Sequence, residues 1–303
     1  MQEVDLNGLK VGGSNPCALI AEIGINANGD TSVARSLIEI AALSGWSGVK
    51  LQKRHISMDN TGCYKSSYLK ENRQSPWGNT QLHQKRNLEF TKGQFKLLVD
   101  VAADNGIYCY ASVWDKPSVD FLENINMPAY KIPSAVLTDM DLLRYIRSTN
   151  KPIVLSTGMH TDTEIDEAVE VFYDNVPMVL LYCVTVYPCP VDNIDLTEMI
   201  KLGYNYPDCA VGYSGHEPGL TPSIMAWNMG AAMIERHVTI DRHIYGSDQK
   251  AAIEEEDMVM LSCLTKEHKM PWPRSAFDCQ EKELCAAELE SREKFRYAMN
   301  GLK

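Results

Sequence analysis

The run Ile153-Val154-Leu155-Ser156, the amphipathic stretch over residues 162–172 and the run Met178-Val179-Leu180-Leu181-Tyr182-Cys183 together decide the fold. Both short runs are apolar on both faces, which suits a strand covered on both sides. The stretch between them repeats its apolar residues at helical spacing. Two such strands with a helix between them make a parallel β-α-β unit. Working outward, the unit recurs. Further strands are predicted at 18–23, 48–51, 107–112, 129–132, 210–213 and 233–238, and helices near 32–43, 93–104, 117–123, 139–148, 196–202, 222–229 and 254–264. Thr31, Thr91 and Thr161 read as N-caps. Eight strand–helix units in about 260 residues predict an α/β fold of the eight-fold β/α (TIM) barrel type. The rival, a doubly wound open sheet, usually carries a glycine-rich first turn, and no GxGxxG occurs here.

Ahead of the barrel, Val4-Asp5-Leu6-Asn7-Gly8-Leu9-Lys10-Val11 alternates about an Asn-Gly pair, the signature of a β-hairpin. A polar insertion over residues 54–89 interrupts the rhythm and reads as a binding loop over the strand-two side of the mouth. It carries Tyr64, Tyr68, Arg73, Trp77 and Asn79, able to stack on a sugar and bond its hydroxyls. The chain thus divides into a barrel domain over 1–270 and a helical tail over 271–303.

The 303 residues are 45% hydrophobic, and 29 Lys and Arg against 40 Asp and Glu leave a formal charge of −11. Such an acidic chain without a basic run argues against a nucleic-acid partner. No apolar stretch reaches the roughly 20 residues of a membrane span, and the acidic start lacks the apolar core of a signal peptide. Nine Cys without a CxxC pair suggest reduced thiols and a cytoplasmic protein.

In such barrels the chemistry sits at the C-terminal strand ends. The predicted strands deliver Glu22, then Lys50 and Gln52, then Ser112, Lys131 and Ser134. The second half delivers Ser156 and Thr157, Thr185 and Tyr187, Ser214 and His216, and His237 with Asp248 beyond it. A Lys ending an apolar strand is costly unless it meets an anion. Two of them, Lys50 and Lys131, fit a bound dianion better than a single Schiff base, with Ser134, Ser156 and Ser214 completing an anion cradle. His216 and His237 end neighbouring strands and suit a divalent first-row metal, with Glu22 and Asp248 as available carboxylates.

Seven strings, in order over residues 1–265, resemble the motifs of the sialic acid synthase family. They are Ala21-Glu22-Ile23-Gly24-Ile25-Asn26-Ala27-Asn28-Gly29, Val49-Lys50-Leu51-Gln52, Tyr130-Lys131-Ile132-Pro133-Ser134, Leu155-Ser156-Thr157-Gly158-Met159, Tyr187-Pro188-Cys189-Pro190, Gly212-Tyr213-Ser214-Gly215-His216 and Ile234-Glu235-Arg236-His237. The resemblance implies condensation of phosphoenolpyruvate with an N-acetylated aldose such as N-acetylmannosamine, with Mn2+ or Mg2+, in a homodimer. It assigns Lys50, Lys131, Ser134, Ser156 and Ser214 to phosphoenolpyruvate, with Thr185 beside them, while Ser112 joins the substrate-binding residues from its strand end. His216 and His237 become metal ligands, and Glu22, Gln52, Tyr187 and Asp248 face the acceptor sugar. Ala27 replaces a His common in the first motif, Val136 replaces a frequent acidic residue, and the antifreeze-like C-terminal domain of most members is not expected. The alternatives are a synthase that uses a sugar phosphate, and a barrel that binds a sugar acid without turning it over.

Overall fold

The computed structural model describes residues 2–57, 63, 68–72, 75–173, 176–265 and 282–300. Strands β1 (Glu3–Asp5) and β2 (Lys10–Gly12) form the expected antiparallel hairpin. Its turn needs positive φ at two adjacent residues, 61° at Asn7 and 125° at Gly8, which Asn and Gly tolerate best. Val4, Leu6 and Val11 are buried, and the Asn7 amide donates to the Pro128 carbonyl at 2.9 Å. The hairpin therefore lies against the strand starts and leaves the opposite end of the barrel as the mouth.

The barrel strands are β3 (Ala18–Glu22), β4 (Gly48–Lys53), β5 (Tyr108–Val113), β6 (Tyr130–Ile132), β7 (Ile153–Ser156), β8 (Met178–Tyr182), β9 (Ala210–Gly215) and β10 (Met233–His237). All pair in parallel, and β10 closes the ring between β9 and β3. Around them run α1 (Thr31–Leu43), α2 (Gln81–Leu88), α3 (Lys92–Asp104), α4 (Lys116–Glu123), α5 (Met140–Arg147), α6 (Asp162–Glu170), α7 (Thr197–Asn205), α8 (Thr221–Asn228), α9 (Glu255–Thr265) and α10 (Ala286–Asn300). Helix α6 shows how the sequence specifies these units. Thr161 and Glu164 form a capping box, and Ile165, Ala168 and Val169 turn one face toward the sheet. Thr91 caps α3 in the same way. For α1 the expected cap is corrected: Asp30, not Thr31, accepts the Ser32 N–H at 2.7 Å, because its carboxylate reaches the first free N–H groups from outside the helix.

The insertion is more ordered than its composition suggests. Glu89 fastens its two ends together, accepting from Lys53 Nζ at 2.9 Å and Arg54 Nε at 2.7 Å. It contains α2, which the sequence reading missed. Tyr68, expected to stack on a sugar, is fully buried beside Cys63 in a small satellite core with Ile56, Leu82, Trp114 and Phe295. Trp77 meets Tyr245 edge to face at 5.6 Å, and the Asn72 amide donates to the Tyr245 hydroxyl at 3.2 Å. The loop thus reaches across to the segment after β10. Tyr64 and Arg73 lie outside the described residues. Among the described residues no helix is long and apolar enough to cross a membrane, and Cys17, Cys63, Cys109, Cys183, Cys189 and Cys209 are buried free thiols.

The Arg236–Glu217 ion pair is fully shielded from solvent. Arg236, on the outer face of β10, donates to Glu217 Oε1 at 3.0 Å, to Ser223 Oγ at 2.9 Å and to the Gly219 carbonyl at 2.8 Å. The Tyr213 hydroxyl and Ser223 Oγ donate to Glu217 at 2.7 and 3.1 Å. The network ties the loop after β9 and the start of α8 to β10. Removing one partner strands the other charge in the interior, so Arg236→Met should cost about 3–5 kcal/mol in denaturant unfolding. The double variant Arg236→Met/Glu217→Gln should recover part of that loss. A single variant within 1 kcal/mol of the parent, a threshold of about one ordinary hydrogen bond, would show the pair to be dispensable.

Candidate active site

The mouth is built around a carboxylate that the sequence reading left without a role. Along β10 the side chains alternate, so Glu235 and His237 face the barrel interior while Arg236 faces the helices. Lys50 Nζ donates to Glu235 Oε1 at 2.7 Å, and Lys131 Nζ reaches Oε1 at 3.0 Å and Oε2 at 3.1 Å. Ser214 Oγ donates to Oε1 at 3.2 Å and the Tyr110 hydroxyl to Oε2 at 3.3 Å. The two lysines are thus not solvent-seeking: Lys50 is 5% exposed and Lys131 1%. They meet an anion, as their burial demands, but that anion belongs to the protein.

The electrostatics follow from this placement. Burial works against charge on Glu235, but the two ammonium groups outweigh it and hold the carboxyl well below the usual range. Glu22, at the end of β3, has Lys50 Nζ at 3.3 Å. There burial wins and pushes its pKa up to about 8, so Glu22 keeps its proton at neutral pH. Burial also pulls Lys131 down to about 8, opposed by Glu235, while Glu22 and Glu235 overcome burial and raise Lys50. With both lysines charged, Glu235 ionised and Glu22 neutral, the cluster keeps one net positive charge, which suits an incoming anion.

On the β8–β10 side, the His216 and His237 rings stand 5.5 Å apart between centroids, with Tyr187 4.0 Å from His216. His216 Nδ1 lies 2.7 Å from the Val184 carbonyl, which puts its proton on Nδ1 and leaves Nε2 a free lone pair. Burial drives both imidazoles down to about 3, so both are neutral at physiological pH. His237 Nδ1 is buried without a hydrogen-bond partner, and Asp248 Oδ2 stands 3.9 Å from it. Two neutral imidazoles, one with an orphaned nitrogen, form a donor set that fits a divalent first-row ion. Glu22 turns to Lys50 instead of the histidines. Among the described residues, three ligand atoms already within 4.8 Å of one another occur only at Asp241, His243 and Glu254. That group borders the surface, where Asp241 is occupied by His243 and Glu254 by Arg242.

The β6–β8 side carries hydroxyls. Ser134 Oγ accepts the Gly158 N–H at 3.0 Å, Ser156 is buried at the end of β7, and Thr185 Oγ1 is buried without a partner. A Cβ at Gly158 would lie 2.3 Å from Thr185 Oγ1, so only glycine lets this loop approach. Ser112 accepts from Trp114 Nε1 at 3.3 Å, and Gln52 sits opposite it on β4 at the strand ends. All the expected site residues therefore lie at or near one end of the ring, in three sectors: hydroxyls, the lysine–glutamate cluster, and the histidines with Tyr187 and Asp248.

Sequence reasoning missed Glu235 and Tyr110. A signal was present: Glu235-Arg236-His237 puts three polar side chains into a strand that closes the barrel, and alternation sends two of them inward.

Comparison with known proteins agrees with this geometry. The model of the NeuB family matches residues 37–269. The human N-acetylneuraminate-9-phosphate synthase is 32% identical over 84% of this chain and 70% of its own length. The N,N'-diacetyllegionaminic acid synthase of Campylobacter jejuni is 36% identical over 80% of this chain and 73% of its own. Among solved structures, the N-acetylneuraminic acid (sialic acid) synthetase of Leptospira borgpetersenii, in complex with citrate, superposes with a TM-score of 0.77 at 27% identity, covering 99% of this chain and 98% of that one. A fold-level match at 15% identity extends to the 3-deoxy-D-arabino-heptulosonate 7-phosphate synthase of Thermotoga maritima. With its eight-stranded parallel barrel and its motifs in order, the chain belongs to the NeuB family, a synthase of the sialic acid synthase type.

Proposed function

We propose that this barrel condenses phosphoenolpyruvate with the open-chain aldehyde of an N-acetylated aldose, N-acetylmannosamine or a related amino sugar, to give a nonulosonic acid and phosphate. The observation that carries the reading is the Lys50–Glu235–Lys131 cluster, a buried site of net positive charge beside two neutral histidines. Lys50, Lys131 and Ser214 take the charged end of phosphoenolpyruvate, with Ser134, Ser156, Ser112 and Thr185 along the hydroxyl side. Gln52, Tyr187 and Asp248 face the acceptor. C3 of phosphoenolpyruvate attacks the aldehyde carbon, and the protonated Glu22 delivers its proton to the aldehyde oxygen as the bond forms. Water adds to the cation at C2 and a water proton returns to Glu22; the C2–O bond to phosphate then breaks as the C2 hydroxyl proton passes to the departing phosphate, leaving the C2 keto group. Lys50 and Lys131 stabilise the anionic groups throughout, in a site where few waters compete. His216 and His237 would hold a divalent ion, Mn2+ or Mg2+, which when bound polarises the aldehyde oxygen.

Some curated relatives are named for a phosphorylated product and others for an unphosphorylated one. Lys53 and Arg54, the basic pair at the end of β4, keep one net positive charge but are both engaged by Glu89, and this engagement favours the free sugar here. Phosphate release from N-acetylmannosamine should therefore exceed that from its 6-phosphate at equal concentration. The reverse order would transfer the assignment to a sugar-phosphate synthase, and release from neither would favour a binding protein.

Chelation should abolish phosphate release and Mn2+ should restore it, while His216→Ala and His237→Ala should each bind the ion at least about tenfold more weakly in direct titration. Undiminished turnover in either variant would remove the ion from the histidine pair. Lys131→Ala leaves the Glu235 carboxylate with one ammonium group, so it should lower kcat/KM by a factor on the order of 100–1,000. Wild-type kinetics would mean that Lys131 serves the barrel interior alone.

A further inference from the structure

Helix α10 spans the strand ends, and its contacts are out of keeping with a loose tail. Glu288, only 4% exposed, accepts the Met159 N–H at 3.0 Å across 129 residues of chain. One turn on, Arg292 Nη2 donates to Glu164 Oε1 at 2.6 Å. Before the helix, Lys282 Nζ donates to the Thr157 carbonyl at 2.9 Å. Phe295 then enters the satellite core with Tyr68 and Trp114, above β4 and β5. The helix thus runs from the loop after β7 to the insertion after β4.

What it touches on the β7 side is the backbone of the hydroxyl sector. Met159 has φ +54°, a left-handed conformation that a non-glycine residue holds only against a cost. The buried Glu288 carboxylate receives the N–H that this conformation presents. Two residues of the same loop grip Ser134: Gly158 N–H donates to its hydroxyl at 3.0 Å, and His160 Nε2 lies 2.8 Å from its carbonyl. His160 Nδ1 in turn lies 3.4 Å from Glu164 Oε2, the carboxylate whose other oxygen Arg292 holds.

We propose that Glu288 is a positioning residue: through the Met159 N–H, α10 fixes the loop over residues 157–160 and with it the hydroxyls of Ser134 and Ser156 that receive phosphoenolpyruvate. The proposal rests on the ligand assignment made under Proposed function. It differs from a purely structural role in its selectivity, because Gln52 on β4 and Asp248 beyond β10, which face the acceptor, lie away from this loop.

The test uses the full chain as wild type, Glu288→Ala and Glu288→Gln, with Arg292→Met as a second way to loosen the helix. Hydrogen exchange at the Met159 amide is read in the ligand-free protein, phosphoenolpyruvate affinity by calorimetry, and KM for both substrates by phosphate release. Loss of one buried charge-assisted hydrogen bond should speed Met159 exchange and weaken phosphoenolpyruvate binding by about tenfold in Glu288→Ala, with the acceptor's KM within about twofold. Glu288→Gln keeps an acceptor oxygen for the Met159 N–H and should restore binding. Arg292→Met should shift phosphoenolpyruvate affinity in the same direction. Unchanged affinity in Glu288→Ala, or equal rises in both KM values, overturns the proposal. A wild-type protein that does not bind phosphoenolpyruvate overturns the ligand assignment instead, and Met159 exchange then decides the anchor on its own.

Discussion

A carboxylate held between two ammonium groups inside a barrel sets the terms for everything around it. β/α barrels usually fill their interior with branched apolar side chains. Here Glu235 places a negative charge there, and Lys50, Lys131, Ser214 and Tyr110 all turn toward it. Without Glu235 the lysines would lose their charge or leave the interior, and Glu22 would lose the arrangement that keeps it neutral beside a cation. The cluster also spares the protein a reorganisation on binding, because the ammonium groups are already fixed before any substrate arrives.

The barrel was legible because its strands are covered on both faces. Every strand predicted from an apolar run lies within two residues of its position in the structure, and 153–156 matches at both ends. The hairpin was equally readable, since Asn7-Gly8 is one of the few pairs that accept its turn. The insertion was not. Its α2 has a weakly apolar face, and its N-cap Thr80 makes no side-chain cap bond, so periodicity did not announce it. Tyr68 looked like a ligand residue because a polar loop gives no hint of a satellite core, and that core forms only from residues far apart in the chain, Phe295 among them.

At the mouth, sequence foresaw which residues would share one rim and misjudged one partner. Strand ends and motif order brought thirteen positions to one rim. That Lys50 and Lys131 needed an anion was legible from burial alone. Which anion they meet was not, because pairing across the ring depends on the inward phase of β10 and on the distance across the barrel. The link between Glu288 and Met159 was out of reach as well, since no local pattern joins a polar C-terminal helix to a loop 129 residues earlier.

The alternation along β10 also bears on how the barrel closes correctly. This strand pairs with β9 on one side and with β3 on the other, so it completes the ring. A slip by one residue would exchange its two faces. Arg236 would turn inward to join Lys50 and Lys131, three cations beside the single carboxylate of Glu22, while Glu235 would face the helices next to the buried carboxylate of Glu217. Both halves of the misfit carry like-charge repulsion in a dry interior, where it is least screened. Opposite charges on adjacent residues of the closing strand therefore act as a fidelity check on assembly, rejecting the nearest wrong register electrostatically as well as sterically.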